Sequence, residues 1–144
     1  GKNGEAVPVT PKPSVPKTDM RWDVFPDSLY WGPKFLYERY RIPIIYTENG
    51  VALTEWKTLE GTVNDDCRID FVKRYLRALH RAAQEVEVKG YFYWSFMDNF
   101  EWAEGFSKKF GLIHIDYDTL VRTPKKSAFW YKKVMESNGE EIFK

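Results

Sequence analysis

The chain has 144 residues, 43% hydrophobic and 30% charged, the composition of a soluble globular domain rather than a disordered tract. Its 22 basic and 21 acidic residues leave a net charge of +1. With no basic stripe and no acidic tail, that balance argues against nucleic acid or a strongly basic partner, and no apolar run approaches the ~18 residues of a membrane span.

The first 17 residues are polar and proline-bearing, unlike a secretory signal. Residues 1–19 are expected to form a loop or ragged N-terminal segment, with the structured part at 20–144. From Asp27 to Arg41 the pattern is helical, with Leu29, Phe35, Leu36 and Tyr40 as apolar positions. Gly32-Pro33 sits badly inside it, so the helix either starts at Pro33 or kinks there. The run Ile42 to Thr47 lacks polar alternation and predicts a strand buried on both faces of a parallel sheet. Val51 to Val63 reads as loop. A helix follows over about Asp65–Glu85, with Ile69, Val72, Leu76, Leu79 and Ala83 on its apolar face and Asn64 or Asp65 at its cap.

Gly90 to Phe96 reads as a second buried strand, Met97 to Gly111 as a loop rich in aromatics and acids, and Leu112 to Asp116 as a short strand. A last helix is expected from Pro124 to Ser137, stopped by Asn138-Gly139. Two buried strands joined by a helix make a βαβ unit. Two strands cannot close a sheet or bury their helices, so the organisation is that of a piece of something larger.

Cys67 is the only cysteine, which fits a reduced, cytoplasmic setting and a packing role for its side chain. His80 and His114 have no sequence partner at metal-ligand spacing and read as structural, so no metal is expected. Aromatics make up 17% of the chain: six Trp, nine Tyr and ten Phe. They serve either core packing or a sugar-binding cleft.

Acids cluster just past the two strands: Glu48 after the first, and Asp98, Glu101 and Glu104 after the second. In a (β/α)₈ barrel the C-terminal strand ends face the active site. Position alone leaves Glu48 open between a catalytic carboxylate and a solvated turn residue beside Asn49-Gly50. The loop with Trp94, Phe100, Trp102, Phe106 and Phe110 mixes flat rings with carboxylates, which suits a polyol ligand.

The segment Ile44-Ile45-Tyr46-Thr47-Glu48-Asn49-Gly50 resembles the strand that ends in T-E-N-G in glycoside hydrolase family 1. The segment Gly90 to Phe106, with Trp94-Ser95-Phe96-Met97-Asp98-Asn99-Phe100-Glu101-Trp102, resembles the last barrel strand and loop of the same family. Arg68-Ile69-Asp70, Lys109-Phe110-Gly111-Leu112, Asp116-Tyr117 and the helix from Pro124 continue the match from about Met20 onward. Arg21 stands where many members carry glycine, and Phe96-Met97 replaces a commoner pair of leucines.

The resemblance implies an α/β fold, the C-terminal part of a (β/α)₈ TIM barrel with strands seven and eight and their flanking helices, incomplete on its own. It implies retaining hydrolysis of terminal β-D-glucosides, and of related galactosides and fucosides, with no cofactor. Glu48 matches the nucleophile, Trp94 an indole under the sugar, Glu101 the carboxylate on its 4- and 6-hydroxyls, and Trp102 the ring N–H on its 3-hydroxyl. Phe110 matches an apolar position nearby, and Trp56 is a weak candidate for the aglycone side.

A retaining enzyme needs two carboxyl groups about 5 Å apart. The family's acid/base lies in an N-E-P segment that this chain lacks, as it lacks the N-Y-Y-type segment and the early glutamine and histidine contacts. Neither Asp98 nor Glu104 is expected to substitute. The implied partners are a β-glucoside or oligosaccharide and a complementary N-terminal barrel chain or segment. The alternatives are an isolated non-catalytic fragment and a weak sugar-binding module.

Overall fold

The computed structural model describes residues 13–144, so most of the N-terminal segment expected at 1–19 lies outside the described residues. In chain order the elements are α1 (Ser28–Tyr40), β1 (Ile44–Asn49), α2 (Asp66–Ala83), β2 (Val88–Tyr93), β3 (Ile113–Ile115), β4 (Arg122–Pro124) and α3 (Lys126–Glu136). Two short 3₁₀ turns, Trp102–Glu104 and Glu140–Phe143, complete the set.

α1 begins at Ser28 and runs through Pro33, so the helix does not start at that proline. The missing N–H leaves one carbonyl without its helical partner. Burial of Leu29 and Pro33 on the inner side offsets that loss. Arg41, with φ 54°, closes the helix by donating its N–H to Tyr37 O at 2.9 Å.

β1 and β2 pair in parallel, with Ile44 opposite Val88 and Tyr46 opposite Tyr91. Only one sheet face is covered. Tyr46, Val88, Tyr91 and Tyr93 pack against the helical core, while Ile45 and Phe92 on the other face stay 54% and 61% exposed. The expectation of strands buried on both faces is therefore corrected: no described element lies over the Ile45–Phe92 side.

α2 supplies most of the core. Phe71, Val72, Tyr75, Ala78, Leu79 and Ala82 are its buried residues together with Arg68. The buried stripe is thus rotated from the one expected, leaving Ile69 and Leu76 half-buried and Ala83 exposed. The stacked rings of Phe71 and Tyr75, 4.1 Å apart, explain the rotation, because two aromatics bury more area than the aliphatics beside them. Tyr75 Oη also accepts the Phe25 N–H at 2.9 Å.

β4 was not expected. It pairs antiparallel with β3, placing Pro124 opposite Ile113. Pro124 therefore ends a strand instead of opening a helix, and α3 starts two residues later. Cys67, expected to pack, is exposed.

Phe71→Ala would remove one half of the stacked pair at the centre of this core. The expected cost is about 3–5 kcal/mol, read as a drop in the urea midpoint of the chain.

Candidate active site

The C-terminal ends of β1 and β2 meet at Gly50. A Cβ built there would lie 1.6 Å from the Trp94 carbonyl oxygen, so only glycine lets the two chains come this close. Trp94 N donates to Asn49 O at 3.0 Å, which extends the pairing one step past the strands. Glu48 and Trp94 are thus carried on adjoining backbone. The Trp94–Ser95 peptide is cis.

Both strand ends open into a cleft of about 650 Å³. Glu48, Trp94, Glu101, Trp102 and Phe110 all line it, so the five residues singled out in the sequence converge on one space. Trp22 joins them and was not anticipated, although Met20-Arg21-Trp22 opens the stretch that resembles the family. Glu48 is exposed to the cleft, Phe110 is buried beneath it, and Trp102 stands 82% exposed at its rim.

A tight turn sets Glu101 and Trp102. Glu101 N donates to Gly105 O at 2.7 Å, and Gly105 N donates to Trp102 O at 3.1 Å. Trp102 holds φ at 43° and Gly105 at 59°. For a bulky side chain that backbone costs about 1–3 kcal/mol, a strain the turn imposes in presenting the indole.

Two cations beneath the cleft tie its loops together. Arg68 is fully buried. Its guanidinium donates to Val51 O, to Tyr93 Oη at 2.9 Å and to Phe110 O at 3.1 Å. It also bonds Glu55 at 2.7 Å, Lys109 O at 2.8 Å and Asp65 at 2.8 Å. Asp65 in turn accepts the Ser127 N–H and hydroxyl at 2.8 and 2.6 Å. Lys125, also fully buried, pairs with Glu55 and with Asp98, the latter at 2.9 Å. Burial pushes the Tyr93 phenol up to about 12 despite the neighbouring Arg68, which keeps it a neutral hydrogen-bond donor to Phe110 O at 2.8 Å.

The fold gives His114 the acidic neighbours that sequence spacing did not show. Glu55, Asp98 and His114 offer ligand atoms within 4.8 Å of one another. The Lys125 ammonium bonds both carboxylates of that cluster, so the cation they face is the protein's own. Burial holds the His114 imidazole below its ordinary pKa, against the pull of Asp98. His80 is exposed on α2 and packs edge-on to Phe143.

Trp56, 72% exposed, lines a separate cleft of about 310 Å³ with Thr54 and Cys67, away from Glu48. Asp98 is buried and engaged by Lys125, and Glu104 pairs with Lys108 at 3.5 Å. Neither lines the cleft that holds Glu48.

The family model for glycosyl hydrolase family 1 matches residues 2–140. The chain belongs to glycosyl hydrolase family 1. Beta-glucosidase A of Thermotoga maritima is 46% identical over 129 residues, covering 88% of this chain and 29% of the relative. A 6-phospho-beta-galactosidase of Streptococcus mutans is 46% identical over 128 residues, covering 86% and 27%. The solved family 1 β-glucosidase from Thermotoga maritima superposes with a TM-score of 0.87 at 42% identity, over 89% of this chain and 29% of that one. The same enzyme in complex with glucoimidazole superposes equally well. The chain therefore spans less than a third of the length of these family 1 relatives. Its fold is a C-terminal part of the (β/α)₈ barrel of the family, which explains the bare face of the β1–β2 sheet.

Gly50→Ala is expected to force the strand ends apart at the Trp94 carbonyl. The stability loss should reach about 1–3 kcal/mol or more, checked as a fall in thermal midpoint.

Proposed function

We propose that this chain is the C-terminal part of a retaining β-glycosidase acting on terminal β-D-glucosides and on related galactosides and fucosides. The observation that carries the reading is the meeting of Glu48, Trp94, Glu101 and Trp102 in one cleft at the ends of two parallel strands. A carboxylate among flat rings suits a sugar: the rings stack on its apolar face and the acids accept its hydroxyls.

In this reading Glu48 attacks the anomeric carbon as the bond to the leaving oxygen breaks. That oxygen takes a proton from an acid/base carboxyl supplied by the N-terminal part of the barrel. Water, deprotonated by the same group, then displaces Glu48 and releases the sugar. Trp94 forms the floor, Glu101 accepts from the hydroxyls at positions 4 and 6, and the Trp102 ring N–H donates to the 3-hydroxyl. Phe110 packs below.

The missing segment has a natural seat. Ile45 and Phe92 are more than half exposed along the side where a parallel sheet is normally covered. We infer that a complementary N-terminal barrel segment lies there and brings the second carboxyl. No described helix is long and apolar enough to cross a membrane, and an unpaired, exposed Cys67 suits a reducing cytoplasm.

The chain alone is expected to show no turnover of an aryl β-glucoside, while the completed barrel turns over. In the completed barrel a glucose-configured epoxide should add covalently to Glu48, read by mass spectrometry, and Glu48→Gln should abolish the adduct. Turnover by the isolated chain that Glu48→Gln removes overturns the two-part reading.

Glu101 in the glycon subsite would repel a 6-phosphate. An unphosphorylated aryl β-galactoside is therefore expected to give a higher kcat/KM than its 6-phospho form, and the reverse order would remove Glu101 from that role.

A further inference from the structure

Two buried acids, Glu55 and Asp98, have no part in the chemistry proposed above. Glu55 lies on the loop after β1, seven residues past Glu48. Asp98 lies on the loop after β2, between Trp94 and Glu101. They come from the loop that follows the Glu48 strand and the loop that carries Trp94 and Glu101, and one ammonium joins them. Lys125, at the start of α3, has no solvent exposure and pairs with both.

The Asp98 end is set tightly. The carboxylate oxygen that takes Lys125 also accepts the Gly111 N–H at 2.9 Å, and Asp98 N donates to Ile113 O at 2.9 Å. A Cβ at Gly111 would stand 2.1 Å from Asp98 N, so the backbone there is in direct contact. At the other end Glu55 is also held by Arg68, which grips Val51 O just past the nucleophile strand. A shift at Lys125 therefore reaches both loops.

We infer that Lys125, bridging Glu55 and Asp98 beneath the cleft, is a positioning residue that fixes the Trp94–Glu101 loop relative to Glu48. The inference rests on the glycosidase reading and deepens it. Lys125 touches no substrate. It acts through Asp98 on where Trp94 and Glu101 stand, and through Glu55 on the loop that follows Glu48. A displacement of about 1 Å between reacting groups can cost up to about 10²-fold in rate, so a remote bridge of this kind has kinetic leverage.

The test uses the completed barrel and compares Lys125→Met, Lys125→Arg and Asp98→Asn with wild type. Removing Lys125 leaves a buried excess of negative charge and threatens folding. Asp98→Asn keeps the oxygen that accepts from Gly111 while weakening the ionic bridge, so it carries the measurement if Lys125→Met does not fold. The readouts are kcat and KM for an aryl β-glucoside, the rate of Glu48 labelling by the epoxide, and thermal midpoint, with kinetics taken well below every midpoint.

The expected result is a fall in kcat/KM of up to about 10²-fold. KM should rise, because Trp94 and Glu101 are placed to bind the glycon. Labelling should slow in step, and Lys125→Arg should recover part of the loss. Lower midpoints with kcat/KM and labelling unchanged would make the bridge merely structural and overturn the inference. A wild-type barrel in which Glu48 is never labelled would overturn the glycosidase reading as well.

Discussion

The guanidinium of Arg68 is the interaction on which the arrangement of this chain depends. It sits without solvent in the first turn of α2 and binds three other stretches of chain at once: the loop between β1 and α2 through Val51, Glu55 and Asp65, then Tyr93 of β2, and the Lys109–Phe110 backbone. Only a planar fork with five donors can do this; a lysine would satisfy at most three of these acceptors. Such a buried cation is costly to desolvate, and its return is geometric definition more than stability. The loops at the strand ends are long and contain little regular structure, yet they are fixed because their carbonyls converge on one donor group.

That anchor accounts for the division of labour within the molecule. The apolar core around Phe71, Val72 and Tyr75 holds the helices to one face of the sheet. The ionic layer beneath the cleft takes over where the core ends, at the strand termini, because backbone carbonyls there have no ladder to join. Above it lie the carboxylate of Glu48 and the rings of Trp94 and Trp102. The core also reaches the cleft directly, since Phe71 and Tyr75 line it together with Glu48.

Much of this was readable in the sequence. The β-rich run ending at Glu48, the long amphipathic helix and the aromatic loop carry strong local patterns, and the five candidate residues line one cleft. Other parts carry no pattern to read. β4 has three residues, too few to show a period of two. The stripe of α2 shifted because aromatic area outweighs aliphatic count. Nothing local marks Arg68 and Lys125 as buried, since arginine and lysine are nearly always exposed. Glu55, Asp98 and Lys125 are far apart in the chain, and only the tertiary fold brings them together. The bare face of β1 and β2 was misread as buried because the strand composition was set for the whole family 1 barrel, of which this chain is a part.

The contact between Gly50 and the Trp94 carbonyl has a mechanical consequence. With no room for even a methyl group, neither strand end can slide past the other without breaking the sheet. The backbone that carries Glu48 and Trp94 is therefore held as one unit. The freedom left in the shape of the cleft belongs to its rim, where the turn at Trp102 holds a positive φ and stands exposed.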